Sequence, residues 1–305
     1  AISDPRGTGV TQAKINYTGF EATKLVVGRQ YLQLDNERFL GKNDFRQFPQ
    51  SFDAISVQSD IIKDFDFYYA FATDVNTNNA NGRCAEGRRK LRSHFFNLGW
   101  DGYYYGRLTN YLYFNKDRDL QTNSHVVIGI RVTPTQELVE TTLFDYVVEL
   151  ARQQAKFGNP NNYVSYFLHT ELTRKIDAFH GTIGMQRFGG DPTETGQAFI
   201  TPLGSNHDFN GYAEVFNTIP DRGLRDIYFK LGGHNEEIAV GFAYHYYRLD
   251  TGDGSRRAGQ EVNVTSDFKL SDQVTAQAGY AKYNPKNYNL PRTRRFWIML
   301  TANFL

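Results

Sequence analysis

Side chains able to do covalent or metal chemistry are few and scattered in this chain of 305 residues. No Gly-x-Ser-x-Gly elbow, His-Glu-x-x-His pair, phosphate-cradling glycine loop or dinucleotide fingerprint sits at a strand-to-helix junction. The seven histidines never recur at the spacing by which one helix presents two ligands to a metal. Acidic loops could attract calcium, but no EF-hand pattern occurs, and no cofactor is implied. Ser205 and His207 are the one pair that suggests a nucleophile beside its base; two loop residues without a catalytic role are the simpler reading. Cys84, in "NNANGRCAEGRRK", has no second cysteine to pair with. The chain is expected not to be an enzyme.

The remaining chemistry is that of charge, and the charges are arranged. Lys14, Arg107, Arg131, Lys230, Lys269 and Arg295 each fall on the non-apolar side of a segment that alternates with period two. Glu149, Glu171, Glu261 and Asp267 share those sides. Each base could simply pair with an acid and stiffen the fold; as a set they could form an electropositive track for anions. Formal net charge is only +1, so the chain as a whole has no surface for nucleic acid.

The elements that position these charges are strands. In "SHVVIGIRVT", Val126, Ile128, Ile130 and Val132 share one face, and His125, Val127, Gly129, Arg131 and Thr133 the other. "EIAVGFAYHYY", "EVNVTSDFKL" and "RRFWIMLTANFL" repeat the pattern. About fifteen such segments, each near ten residues, are expected from Val10 onward, a length that fits a tilted strand crossing a bilayer. Mean hydropathy is low at −0.55, yet 24 Phe and 20 Tyr suit a lipid boundary. No apolar run is long enough for a membrane helix. Short turns are expected near 18–22, 61–64, 100–102, 133–137, 173–177, 232–237 and 270–273. Longer loops fall near 35–53, 74–91, 115–123, 157–162, 188–224, 250–259 and 284–293. Sorting of short and long connections is the mark of outer-membrane barrels, with the short turns periplasmic. The expectation is an all-β fold, a transmembrane antiparallel β-barrel in one domain spanning 1–305, in the bacterial outer membrane. An odd number of visible strands that starts outside implies further strands before Ala1.

Four segments add a resemblance. "VVGRQYLQLDNERFLGKNDFRQFPQSFDA" resembles the signature of the alginate-export family of outer-membrane porins through Gly28, Arg29, Gln30, Asp35, Asn36, Arg38, Phe39, Gly41, Arg46, Gln47, Gln50, Phe52, Asp53 and Ala54. Phe45 stands where that family usually has Trp. "DPRGTGVTQAKINY" is similar to the family's opening at Asp4, Pro5, Gly7, Thr8, Ala13 and Tyr17. "YVVELARQQAKFGNPNNY" and "QAFITPLGSNHDFNGYAEVF" follow in family order. Phe304 is penultimate where an aromatic usually ends the chain. The resemblance implies eighteen strands in the full protein, three of them before Ala1. It also implies a passive conduit for anionic or neutral hydrophilic solutes, uronic-acid polymers or oligomers foremost, and adds Arg29 to the lumen set. Alternatives are a general diffusion porin with weak charge preference, and a plugged barrel that binds a surface partner. The expected surroundings are a lipid bilayer with lipopolysaccharide, with the barrel as monomer or homo-oligomer. The loop from Asp35 to Ala54 pairs Asp35, Glu37, Asp44 and Asp53 with Arg38, Lys42 and Arg46. It is expected to fold into the bore on Phe39, Phe45, Phe48 and Phe52, with Arg38 and Arg46 facing solute.

Overall fold

The structure, a computed structural model, describes residues 9–45, 48–77 and 87–302. Asp4, Pro5, Gly7, Thr8, Arg46, Gln47, Cys84, Phe304 and Leu305 lie outside the described residues. The alternating segments form β1 (Ala13–Phe20), β2 (Thr23–Gln30), β3 (Ser51–Ser59), β4 (Phe65–Asn76) and β5 (Arg88–Tyr103). Next come β6 (Gly106–Asn115), β7 (His125–Thr133), β8 (Phe144–Ala155), β9 (Val164–Ile176) and β10 (Phe179–Phe188). The last five are β11 (Leu224–His234), β12 (Ile238–Arg248), β13 (Arg257–Lys269), β14 (Val274–Pro285) and β15 (Thr293–Ala302). They make one fifteen-stranded sheet in sequence order, and every pairing with a defined register is antiparallel.

Connections sort by length as expected, with two local differences. The segment read as a turn at 133–137 continues into a short helix, α1 (Gln136–Thr142). Thr135 caps it by accepting from the Leu138 amide, and Leu143 ends it in the left-handed region at φ 58°. The turn placed at 100–102 lies instead at Tyr104 and Tyr105, because β5 runs on to Tyr103 and Gly106 supplies the positive φ (106°) that starts β6.

The chain divides into two compact units. One comprises Ala1–Val132, Leu150–Tyr166 and Phe199–Asn206; the other comprises Thr133–Glu149, Phe167–Ala198 and His207–Leu305. Within each unit the polarity of the sheet is reversed from that of a soluble protein. In the first, β5 exposes Phe96 and Leu98 and buries Ser93, Phe95 and Asn97. In the second, Val240, Phe242 and Val264 are exposed on β12 and β13, whereas His245, Glu261 and Asn263 are buried. Val240 is 54% exposed and Glu261 0%. Water would reward the opposite arrangement, and hydrocarbon rewards this one. Aromatic rings crowd the short-turn ends of the exposed face. Phe65 stacks on Trp100 at 6.0 Å, and Tyr104, Phe144 and Phe179 are exposed nearby in sequence to their turns. No helix of the described residues is long and apolar enough to cross a membrane; the crossing elements are strands.

A cation placed on this exposed face should be costly. Phe242→Arg is expected to destabilise the protein in lipid vesicles by about 2–4 kcal/mol, read from its guanidinium unfolding curve. A soluble protein would gain or lose little from the same change at an exposed site.

Candidate functional site

The covered face of the sheet carries the charges, and long loops fold onto it. In the first unit the loop 31–50 turns back on itself through Asp35 (φ 54°), Glu37 (φ 61°) and Asn43 (φ 49°). Its tip is held by β5 and β6. The Asp35 carboxylate accepts from Asn97 Nδ2 at 2.9 Å and from the Tyr113 hydroxyl at 3.4 Å. Phe39 packs between Tyr111 and Phe199, at 5.7 and 5.6 Å between ring centres. Leu32 and Leu40 are fully buried.

Residues 199–206 clamp the loop. Gln50 Nε2 donates to the carbonyls of Gly41 and Leu203, both at 2.8 Å. The Ser205 hydroxyl donates to Glu37 Oε2 at 2.7 Å and accepts from the Asn43 amide at 2.8 Å. Ser205 N donates to the Glu37 carbonyl. Gly204 is required where it stands, since an added Cβ would run into the Arg38 carbonyl. Gln153 of β8 fixes the segment's start, donating to the Ile200 carbonyl and accepting from the Ile200 amide and the Tyr163 hydroxyl. On the loop's outer side Lys42 bonds Asp44 at 2.6 Å, which holds the ammonium pKa above its ordinary value.

In the second unit residues 207–222 cover β12 to β15. Glu261 takes the Ala213 amide at 2.8 Å, and the Tyr247 hydroxyl donates to the Asn210 carbonyl at 2.7 Å. Phe216 packs on Tyr247 and Tyr283. His207 Nδ1 lies 2.8 Å from Glu214, and Arg295 pairs with the same carboxylate. Tyr212 stacks on His207 and meets the edge of Trp297. Burial pushes its phenol pKa up, with Asp208 and Asp267 adding to the effect.

Along the same face runs a hydrogen-bonded band of titratable side chains. Tyr228 donates to Glu171 at 2.6 Å, which leaves its oxygen to accept from His169 Nε2 at 2.9 Å. Glu149 lies 4.0 Å from His169. His245, directly opposite Tyr228 in the ladder, bonds Asp226 at 2.9 Å. Lys230 stands over the Tyr228 ring at 4.7 Å. The band was legible only in outline, because parity puts His169 and His245 on the covered side without saying which acid each meets.

Most of the charges expected in the lumen are on this face. Arg131 and Glu149 are buried there, and Lys14, Lys230, Lys269 and Arg295 share its parity. Several are paired. Arg107 bonds Asp66 and Asp101 at 2.9 and 2.8 Å, Lys269 bonds Asp272, and Asp267 accepts from Gln277.

Two expectations fail. Arg38 does not face solute: it is 1% exposed, because the tight turn at 35–37 and the close approach of Gly204 fold the loop over it. Arg29 is on the exposed face with Val27 and Ile55, not the covered one. There its guanidinium makes a two-pronged pair with Asp53 at 2.7 and 2.9 Å. Asp35 and Glu37 accept from neutral donors, and Asp44 pairs with Lys42; Arg46 lies outside the described residues. Ser205 and His207 are each engaged as braces, with Glu37 and Glu214 respectively.

No family model matches the chain, and no curated protein matches it. Solved structures do. OccK1 (OpdK) of Pseudomonas aeruginosa is 13% identical with a TM-score of 0.67, over 92% of this chain and 76% of that one. OccAB4 of Acinetobacter baumannii is 15% identical at 0.67, over 93% and 73%. A BenF-like porin from Pseudomonas fluorescens is 12% identical at 0.67, over 93% and 75%. The fold is thus the transmembrane antiparallel β-barrel of bacterial outer-membrane porins. The barrel fold expected from the sequence holds. These structures are not alginate-export porins, so the finer family likeness rests on the motifs alone.

The clamp on the loop is testable. Ser205→Ala removes the donor to Glu37 and the acceptor for the Asn43 amide, two buried groups whose loss costs about 1–3 kcal/mol each. Amide exchange across 31–45 is expected to speed up while β5 and β6 keep their protection. Unchanged exchange in the loop would show that the Ser205 hydroxyl is not what holds it.

Proposed function

We propose that this chain acts as one barrel domain, an outer-membrane channel for the passive passage of hydrophilic solutes, with anionic solutes preferred. The observation that carries this reading is the reversed polarity of the sheet. A face that buries Arg131, Glu149, His169, Asp226 and Glu261 while its back exposes Val240, Phe242 and Ile128 belongs to a polar interior within lipid. Support for anions comes from Lys14, Arg131, Lys230 and Arg295 on the covered face. OpdK, whose fold this chain shares, has been solved with vanillate, a carboxylate. Uronic-acid oligomers or polymers are the class the sequence motifs favour, and they present the same carboxylate.

Two observations favour the alternatives. Pairing of Arg107 and Arg295 with acids favours a general porin with weak charge preference. Full burial of Leu32, Phe199 and Phe216 in the inserted loops favours a plugged barrel that binds a surface partner.

The test is the zero-current potential of the purified protein in a planar bilayer under a salt gradient. Discrete steps with an anion-selective potential are expected, shifted toward cations by Lys230→Glu. Steps without preference would leave a general porin, and a folded barrel without steps would leave the plugged one.

A further inference from the structure

The exposed face carries a feature that solute passage does not use. At the loop end of β5, Arg88, Lys90 and Arg92 follow one another on that face, and all three are exposed. The β5–β6 register continues past the end of β6, so that Arg92 stands opposite Lys116 and Lys90 opposite Arg118. Like charges directly opposite in a ladder destabilise it, and two such pairs in succession need a counter-charge. Among the described residues, local acids supply only part of it. Arg88 is held by Asp74 at 3.0 Å and Asp53 at 3.5 Å. Asp117 points to the other face, where it pairs with Arg89 at 3.0 Å. Asp119 accepts from the backbone amide of Lys90 at 2.7 Å, and its single charge faces four cations. Among the described residues no carboxylate pairs with Lys90, Arg92, Lys116 or Arg118.

Depth decides what the counter-charge is. The same face continues from Arg92 through His94 to Phe96 and Leu98, and from Lys116 through Phe114 to Leu112. At about 3.4 Å per residue, Arg92 lies roughly 14 Å along the strand from Phe96, continuous with the exposed apolar face. The second unit repeats the arrangement at its own loop ends, where Arg187 stands opposite Arg225 and Arg225 opposite Arg248. Only Asp250 bonds Arg187 and Arg225 there. Short-turn ends of the exposed face present rings instead.

We propose that the exposed face formed by Lys90, Arg92, Lys116 and Arg118 binds the phosphate-bearing headgroup of an outer-leaflet glycolipid, as lipopolysaccharide presents. Guanidinium and ammonium groups at this depth meet phosphate with paired, charge-assisted hydrogen bonds, and each basic side chain adds to the attraction of an anionic headgroup. The surface rests on the outer-membrane placement with the long loops outside, and is independent of what the interior passes.

Native mass spectrometry of the detergent-purified full chain tests it, with bisphosphorylated lipid A and the same lipid stripped of phosphate as probes. The wild type is expected to take the phosphorylated form roughly ten- to a hundredfold more tightly. Replacing Arg92, Lys116 and Arg118 by Ser should abolish that preference. Replacing Lys24, Lys63 and Lys175, which removes the same charge elsewhere, should keep it. Equal uptake of both lipids by the wild type would overturn the proposal even if the triple variant failed to fold. So would equal loss in the control, or displacement of the lipid by inorganic phosphate at matched concentration. Channel conductance should be unaltered in the triple variant, which separates failure here from failure of the conduit reading.

Discussion

Hydrocarbon offers backbone amides no hydrogen-bond partner, and this one constraint organises the molecule. A chain that crosses lipid with strands must pair each of them with its neighbours, and the sequence-ordered sheet does so. The price is that the apolar side chains face outward. The interior inherits the polar ones, and buried polar groups must each find a partner. That requirement explains why the long loops fold onto the covered face. Residues 207–222 bring the Ala213 amide to Glu261 and the Asn210 carbonyl to Tyr247. Loop 31–50 brings Asp35 to Asn97 and Tyr113. Each inserted loop completes hydrogen bonding that the strands alone leave open.

The same constraint divides the cations into two populations. Those on the covered face are mostly matched with acids or rings, as Arg107 is with Asp66 and Lys230 with Tyr228. Those on the exposed face lie toward the ends of the strands, as Arg92 does at the loop end of β5 and Arg174 at the short-turn end of β9. Arg29 belongs to this second population and is stabilised by Asp53. Its place in a conserved-looking motif says nothing about which side of the wall it stands on. Only the register does, which puts Arg29 opposite Ala13 and Asp53 on the face of Ile15, Val27 and Ile55.

Period-two alternation in "SHVVIGIRVT" or "EVNVTSDFKL" depends on nearest neighbours, so strands, faces and the sorting of loops could be read from the chain. What could not be read is what closes at long range. Ser205 meets Glu37 across 168 positions and Asn97 meets Asp35 across 62. Nothing local to "DNERFLG" announces those partners, so Arg38 looks exposed in the sequence and is buried in the fold. Alternation also fails where a helix begins inside a turn: Thr135 caps α1 within what reads as a five-residue connection.

Solute choice follows from the interior charge that remains after pairing. Glu214 with Arg295 is close to neutral as a pair, and a neutral pair projects little field. On the proposed channel reading, selection would fall to side chains without a charged partner. Lys14, which donates to the Gln12 side-chain carbonyl, is of that kind on the cationic side. A fold shared at 12 to 15% identity does not carry such residues with it. The fold therefore specifies a barrel wall, and on the proposed channel reading the ion or acid preferred would be set by a handful of positions that two proteins of one architecture can fill with opposite charge.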